Sequence, residues 1–165
     1  MSAGPAVRVA PAEPGSLAPL ARLTTAVTAR ATRGEPLRVF TTLGRHPRLF
    51  RSWLRFAAAL MFRSDLTAAD RELVTLRTAW RCGCWYEWVQ HATLATRAGL
   101  GPQDVARVAD GPGAGWGRRR QLILQATDEL HDHRVITDGT WQALGGELTE
   151  RQLVDLCFLV GHYEM

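Results

Sequence analysis

"DRELVTLRTAWRCGCWYEWVQHATLATRAGL", residues 70–100, is the stretch of sequence that decides the fold. Its first half carries apolar residues at intervals of three and four (Leu73, Leu76 and Trp80), which is the period of a helix with one apolar face. A short turn around Gly83 interrupts this pattern, and a second helical segment follows the turn. The stretch therefore predicts two helices that are joined tightly enough to pack against each other.

The sequence on either side of this stretch also predicts helices. No alternating strand pattern of any length occurs, and glycines, prolines and capping residues separate the apolar-periodic segments. The predicted fold is all-α, a single-domain helical bundle that spans residues 35–165. Its helices are expected at 37–46, 48–62, 66–80, 85–98, 102–110, 118–133, 140–146 and 149–165.

The two ends of the chain differ from this domain. Residues 1–34 contain four prolines among Ala, Arg and Thr, which predicts an extended, loosely held arm with one short helix at residues 20–31. At the other end, the chain stops at Met165 within an apolar helix that has neither a cap nor a breaker. We therefore expect the natural sequence to continue beyond this residue.

Composition narrows the class of protein. The chain has 165 residues, enough for one domain with a sizeable core, and 46% of them are hydrophobic. No apolar run approaches the roughly 20 residues of a membrane span, and the N-terminus lacks the apolar region of a secretory signal. Three cysteines are too few and too unevenly spaced for a disulfide framework, which favours a reducing, cytoplasmic compartment. No membrane contact is predicted.

The net charge of +4 says little about partners, because it comes from arginines scattered along the chain. The one tight cluster, at residues 118–120, is explained by an exposed helix start at least as well as by a nucleic-acid contact. We therefore predict no nucleic-acid partner.

Residues 84–91 hold the candidate chemistry. Cys84, Glu87 and His91 are spaced by three and four residues and share one helical stripe, so Glu87 and His91 can pair directly. Glu72 lies on the preceding helix, where a buried carboxylate needs a partner. An ordinary exposed Glu–His pair and an ordinary first-turn acid explain the same spacing. The two tryptophans that flank Glu87 favour a functional site, because they indicate apolar surroundings that shift pKa values.

The cysteines allow a second interpretation. Cys84 lies near a helix N-terminus, which favours the thiolate and makes it a candidate nucleophile. The position one turn later is Glu87, however, so there is no C-x-x-C pair, and the C-x-C spacing of Cys82 and Cys84 closes a small, strained ring. We expect Cys82 to be a half-buried residue of the helix seam and Cys157 to lie in the core.

No metal site is predicted. His131 and His133 stand close to Asp128 and Glu129, but neither an H-x-x-x-H nor an H-E-x-x-H spacing occurs, and histidine is favoured at a helix C-terminus for electrostatic reasons. No cofactor is predicted either.

The stretch 70–100 resembles the carboxymuconolactone decarboxylase family, which includes the alkylhydroperoxidase-D-like proteins, in the branch whose helix reads Y-E-W-x-x-H. Flanking segments such as "FTTLGRHPRLFRSWLRFAAALMFRSDLT" and "ERQLVDLCFLVGHY" are similar to the same family, from about Arg8 to the end of the chain. The resemblance implies an all-α fold of six or more helices. It also implies a homo-oligomer, usually a dimer, trimer or hexamer, and a sequence that continues past residue 165.

The resemblance also implies roles for individual residues. The peroxidase members carry a glutamate, two cysteines and a histidine, and the matching positions here are Glu72, Cys84, Glu87 and His91. A glutamate therefore replaces the second cysteine, which is the attacking thiol of the two-thiol cycle. The resulting E-x-x-x-H resembles the decarboxylase-type members.

Three functions follow from this pattern. The first is cofactor-free acid/base chemistry, of decarboxylase or lyase type, on a small carboxylated or lactone substrate. His91 would then transfer the proton, Glu87 would hold the protonation state of His91, and Glu72 would relay through water. The second function is a thiol peroxidase of peroxiredoxin type that uses Cys84 with Cys82 or an outside thiol, and the third is a non-catalytic helical assembly protein. Residues assigned to the substrate pocket are Trp85, Tyr86 and Trp88, and Arg77 or Arg81 is assigned to a substrate carboxylate.

Overall fold

A computed structural model of the protein describes residues 7–32 and 37–165. Within these ranges the chain forms α-helices and one short 3-10 turn, Pro14–Ser16, without a β-strand, so the all-α prediction is confirmed. None of the described helices is both long and apolar enough to cross a bilayer. The helices are α1 (Pro19–Thr32), α2 (Arg38–Leu43), α3 (Pro47–Phe62), α4 (Ala68–Arg81), α5 (Trp85–Arg97), α6 (Pro102–Asp110), α7 (Arg118–His133), α8 (Asp138–Gly145) and α9 (Glu150–Glu164).

The chain separates into two compact units, Met1–Ala58 and Ala59–Met165, and the division falls inside α3. The first unit has an apolar cluster of its own, in which Phe40, Phe50 and Trp53 make edge and tilted ring contacts at 5.8–6.2 Å. Residues 1–6, 33 and 34 of the predicted N-terminal arm lie outside the described residues.

Helix α4 is the central element of the second unit, where it contacts α5, α6, α7 and α9. Leu73 and Leu76 belong to an apolar cluster with residues of α5, α6 and α7. Val74 belongs to a second cluster, with residues of α7, α8 and α9. The sequence period predicts one apolar face on this helix, but α4 is buried on both sides because other helices cover each of them.

Local signals set the ends of the helices around the centre. Thr67 Oγ1 accepts a hydrogen bond from the Asp70 N–H at 3.1 Å and so caps the start of α4. Thr149 and Gln152 form a reciprocal capping box at the start of α9, with bonds of 3.0 and 3.3 Å. Helix α5 ends before Gly99, whose φ of +93° is a conformation that residues with side chains rarely adopt.

Charged side chains on α4 are buried together with partners. Asp70 Oδ2 accepts two hydrogen bonds from Arg119, at 2.9 and 3.1 Å. Arg77 makes a two-bond ion pair with Asp128 of α7, at 2.7 and 2.8 Å, and donates to two backbone carbonyls near the end of α6. Gly111 leaves room for this guanidinium, since a Cβ there would lie 3.0 Å from Nη2. These pairs hold α6 and α7 against α4. They thereby help to fix the position of Glu72, the other buried acid of α4.

Candidate functional site

His91 is the centre of a group of polar side chains contributed by α4, α5 and α9. Its Nδ1 lies 2.8 Å from Glu72 Oε2, and its Nε2 lies 3.1 Å from the Tyr163 hydroxyl and 3.6 Å from Glu87 Oε2. Glu72 and His91 are only 5% and 6% exposed. The structure thus brings together three of the four residues that the sequence predicts, and it adds Tyr163 from the last helix.

The hydrogen bonds around a neutral His91 indicate which ring nitrogen carries the proton. A carboxylate only accepts, so the Nδ1–H of His91 donates to Glu72, and Nε2 of the neutral ring accepts from the Tyr163 hydroxyl. Burial raises the pKa of Tyr163, and the nearby carboxylates of Glu72 and Glu87 raise it further. Tyr163 therefore keeps its proton and can donate it to Nε2.

The same contacts also suit a protonated His91. In that state Nε2–H donates to the phenol oxygen of Tyr163, and the phenol proton can turn to Met61 Sδ, which lies 3.7 Å away. Glu72 continues to accept from Nδ1–H, now with a full positive charge on the ring. Both ring nitrogens of His91 therefore have a partner in either protonation state. A side chain that alternates between the two states needs such partners.

Glu87 is the more accessible of the two carboxylates. Its side chain is 24% exposed, against 6% for Glu72, and it lies one helical turn before His91 on α5. Burial raises the pKa of Glu87, and the charge of His91 acts in the opposite direction. Glu87 therefore accepts a proton more readily than an ordinary surface glutamate does.

Cys84 belongs to a second group of residues. It is the N-cap of α5 and lines a cavity of about 220 Å³ together with Trp80, Trp85 and Trp88. The three indole rings contact one another with centroids 5.5–6.3 Å apart. The described residues that line this cavity do not include Glu72, Glu87 or His91. The thiol and the polar group around His91 (Glu72, Glu87 and Tyr163) are therefore distinct features of this unit.

Residues 47–128 match the model of the carboxymuconolactone decarboxylase family, and this range contains Glu72, Cys84, Glu87 and His91. The chain belongs to the carboxymuconolactone decarboxylase family. The resemblance found in the stretch 70–100 is thereby confirmed.

Solved structures share the fold of this carboxymuconolactone decarboxylase family member. One is an alkylhydroperoxidase AhpD core, an uncharacterized peroxidase-related protein from Ralstonia eutropha JMP134, with 21% identity and a TM-score of 0.83 over 96% of this chain and 86% of that one. Another is an uncharacterized peroxidase-related protein from Silicibacter sp. TM1040, with 15% identity and a TM-score of 0.82 over 96% and 84%.

A third structure, a protein of unknown function from Agrobacterium tumefaciens described as a putative antioxidant defence protein AhpD, has 15% identity and a TM-score of 0.66 over 74% of this chain and 85% of that one. No curated protein sequence matches the chain at a significant level. At these identities the likeness shows a common fold.

The two arginines assigned to a substrate carboxylate have other partners in this family member. Arg77 is buried against Asp128, and Arg81 pairs with Asp132 and lies 3.8 Å from Asp128. That assignment was wrong, because α7 packs its acidic residues against the end of α4. Tyr86, assigned to the substrate pocket with its neighbours, is not among the described residues that line the tryptophan cavity.

Two cysteines also differ from their expected surroundings. Cys82 is exposed rather than half-buried, because it forms the C-cap of α4 in the tight turn that leads to Gly83, whose φ is +63°. Cys157 is only partly buried, and this burial raises the pKa of its thiol.

Sequence reasoning missed Tyr163 and Arg71. Tyr163 lies in the apolar helix that the sequence predicts at residues 149–165, and a buried tyrosine hydroxyl there needs a partner. Arg71 donates to the Leu66 carbonyl at 2.7 Å, and its charge partly opposes the rise in the pKa of Tyr163. Its buried Nε has no hydrogen-bond partner within the described part of the chain.

The raised pKa of Glu87 predicts a pH-dependent effect of Glu87→Gln. Between the ordinary pKa of about 4.5 and the raised value, the folded protein holds more protons at this carboxyl than the unfolded chain does. The stability that the neutral carboxyl contributes is therefore lost as the pH rises through the raised pKa. Glutamine resembles the neutral acid and does not titrate. The difference in unfolding free energy, variant minus parent, should therefore be more positive at pH 7 than at pH 4, as measured by urea denaturation. An equal difference at both pH values would contradict the burial of this group.

Proposed function

We propose that this protein is an enzyme without a cofactor, in which His91 transfers a proton at a carbon next to a carbonyl group. The reaction is of decarboxylase or lyase type, on a small carboxylated or lactone substrate. The observation that carries this proposal is the pair of contacts on the two ring nitrogens of His91, at 2.8 and 3.1 Å, which suit both protonation states of the ring. A general acid/base must alternate between these states in each turnover.

In the decarboxylation, the bond between the carboxylate carbon and its neighbour breaks, and CO₂ leaves. The electron pair remains on the neighbouring carbon and is delocalised onto the adjacent carbonyl oxygen. Tyr163 passes its proton to that carbon while it accepts the Nε2 proton of His91. Glu72 stabilises the protonated ring before the transfer and keeps its orientation afterwards, and a proton from water restores the starting state. Glu87, nearer to solvent, is suited to return that proton.

Arg71 supports a carboxylated substrate. Its charge acts on Tyr163, and its Nε is buried without a hydrogen-bond partner among the described residues. An unsatisfied buried guanidinium nitrogen costs free energy that an acceptor would recover. A substrate carboxylate is such an acceptor, and Arg71 takes over the role that the sequence suggested for Arg77 or Arg81.

The experiment that tests this function compares small lactone or keto acids with organic hydroperoxides. We expect purified protein in D₂O to release CO₂ from a carboxylated substrate, or to incorporate deuterium at the carbon next to the carbonyl, without added thiol. Nuclear magnetic resonance detects both changes. Hydroperoxide consumption that requires thiol, with no deuterium incorporation, would exclude the acid/base function.

A thiol peroxidase remains the second candidate, and the position of Cys84 favours it. Cys84 occupies the N-cap position of α5 and lines the tryptophan cavity, and two of the structures of similar fold are described as peroxidase-related proteins. The Cys84 thiolate would attack one peroxide oxygen, break the O–O bond and form a sulfenic acid, with release of an alcohol. Cys82 or an external thiol would then attack the sulfenic sulfur, which forms a disulfide and releases water, and further external thiol would reduce that disulfide and restore Cys84.

Two further expectations belong to the proposal. A homo-oligomer is supported by exposed apolar side chains on α8 and α9, with Trp141 45% and Val154 53% exposed.

A cytoplasmic location is supported by Cys82, Cys84 and Cys157, which are all free thiols. If neither class of substrate turns over, the non-catalytic assembly protein becomes the better description.

A further inference from the structure

A second group of reactive side chains lies at the ends of three helices, apart from His91. Cys82 at the end of α4, His131 in the last turn of α7 and Glu164 in the last turn of α9 place one sulfur, one nitrogen and one oxygen within 4.8 Å of one another. Cys82 Sγ lies 4.0 Å from His131 Nδ1, which lies 2.5 Å from Glu164 Oε1. We propose that these three side chains bind a zinc ion, with water at the fourth position.

The use of a single ring nitrogen distinguishes a metal site from an activated thiol. A carboxylate–imidazole–thiol relay needs the carboxylate on one nitrogen of the ring and the thiol on the other. In this protein His131 Nδ1 faces both Glu164 and Cys82. Three donor atoms within 4.8 Å of one another are instead a grouping that can bind a metal ion.

The donor types fit zinc, and the donor atoms lie close to the spacing that zinc requires. Zinc accepts thiolate, imidazole and carboxylate ligands, and its tetrahedral geometry sets neighbouring ligand atoms about 3.3–3.6 Å apart. The two distances of 2.5 and 4.0 Å lie on either side of this range, so small side-chain movements bring the atoms into place. Cys82 is exposed, which leaves a side open for a water ligand.

The charges near the site leave its donor atoms available. Arg134 lies 3.5 Å from Glu164 Oε2, so the other carboxylate oxygen faces His131. Arg81 is paired with Asp132. Thiolate and carboxylate together balance the two charges of zinc. When the sulfur–zinc bond forms, the S–H bond of Cys82 breaks and its proton passes to solvent, with no change of oxidation state.

The zinc site lies outside the polar group around His91, but the two share the last turn of α9. Glu164 directly follows Tyr163 in the sequence, so zinc would hold the turn of α9 that carries the hydroxyl on His91. Bound zinc would also tie the ends of α4 and α7 to that turn. We therefore expect zinc to raise the melting temperature of the protein.

Cobalt(II) is the probe for this site, because a thiolate ligand gives cobalt an intense near-ultraviolet charge-transfer absorption. Full-length protein freed of metal with a chelator should bind one cobalt ion per chain with this absorption, and zinc should displace it. Cys82→Ser should abolish the absorption. His131→Gln should weaken cobalt binding by about tenfold or more, since even residues that only hydrogen-bond to the metal ligands contribute about 10–100-fold to metal affinity.

Matched variants complete the test. Cys84→Ser and His133→Gln each replace a residue of the same type, two positions after Cys82 and His131 respectively. Both variants should retain the cobalt absorption and the cobalt affinity of the parent. Binding that does not saturate, an absorption that persists in Cys82→Ser, or a loss of it in Cys84→Ser would overturn the proposal. None of these readouts depends on enzymatic activity. The zinc proposal can therefore be refuted while the proposed function stands, and the reverse.

Discussion

Replacement of His91 by alanine is expected to lower the turnover of a carboxylated substrate by about 10²–10⁴-fold, the usual contribution of a positioned acid or base. Cys84→Ala should retain most of the activity, because Cys84 lines the tryptophan cavity and contributes no atom to the contacts of His91. The measurement is the rate of CO₂ release or deuterium incorporation at saturating substrate. The two substitutions therefore separate acid/base chemistry from thiol chemistry.

Loss of His91 also leaves the buried Glu72 carboxylate without its partner at 2.8 Å, so the alanine variant can lose stability as well as activity. His91→Gln is the companion variant, because its side-chain amide can still donate a hydrogen bond to Glu72 but cannot carry the proton. His91→Gln should fold like the parent, as judged by circular dichroism, and should be as inactive as His91→Ala. If Cys84→Ala instead abolishes hydroperoxide consumption while His91→Ala only slows it, the thiol peroxidase is the correct function.

Arg77→Met is expected to lower the free energy of unfolding by about 3–5 kcal/mol, the usual cost of removing one partner of a buried ion pair. The side chains of Arg77 and Asp128 are only 7% and 17% exposed, and the two hydrogen bonds that Arg77 donates to backbone carbonyls would be lost too. Urea denaturation at one fixed protein concentration measures the loss, since assembly would couple stability to concentration.

Arg151→Met is the matched control for this prediction. Arg151 is 85% exposed on its side chain and lies 3.9 Å from Asp65, so its loss should change stability by less than about 0.5 kcal/mol. Adding Asp128→Leu to Arg77→Met should recover part of the loss, because no unpaired buried charge then remains. A cost for Arg77→Met no larger than that for Arg151→Met would show that the pair does not anchor α7 to α4.

The helices could be predicted from sequence because their signals are local. The apolar period of α4, the caps at Thr67 and Thr149 and the terminating Gly99 each act within a few residues of the backbone that they shape. The pairing of Glu87 with His91 belongs to the same class, because any helix brings side chains four residues apart onto one face.

The partners of His91 were harder to predict, because they depend on packing between helices. Glu72 was expected near the site through water, but it contacts Nδ1 directly, so Glu72 rather than Glu87 holds the ring in place. Tyr163 is 72 residues away in sequence and reaches Nε2 only because α9 packs against α4. Helical periodicity reveals neither contact, and only the family pattern pointed to Glu72.

The sequence by itself therefore determined the all-α class, the family and the i,i+4 acid–histidine pair, since all three depend on local periodicity and motif. Tertiary structure alone decided that Arg77 pairs with Asp128 and that Tyr163 contacts His91. It also decided that Cys82 meets His131 and Glu164. Burial, charge pairing and the convergence of helix ends are properties of several helices at once, because each helix covers the polar groups of another.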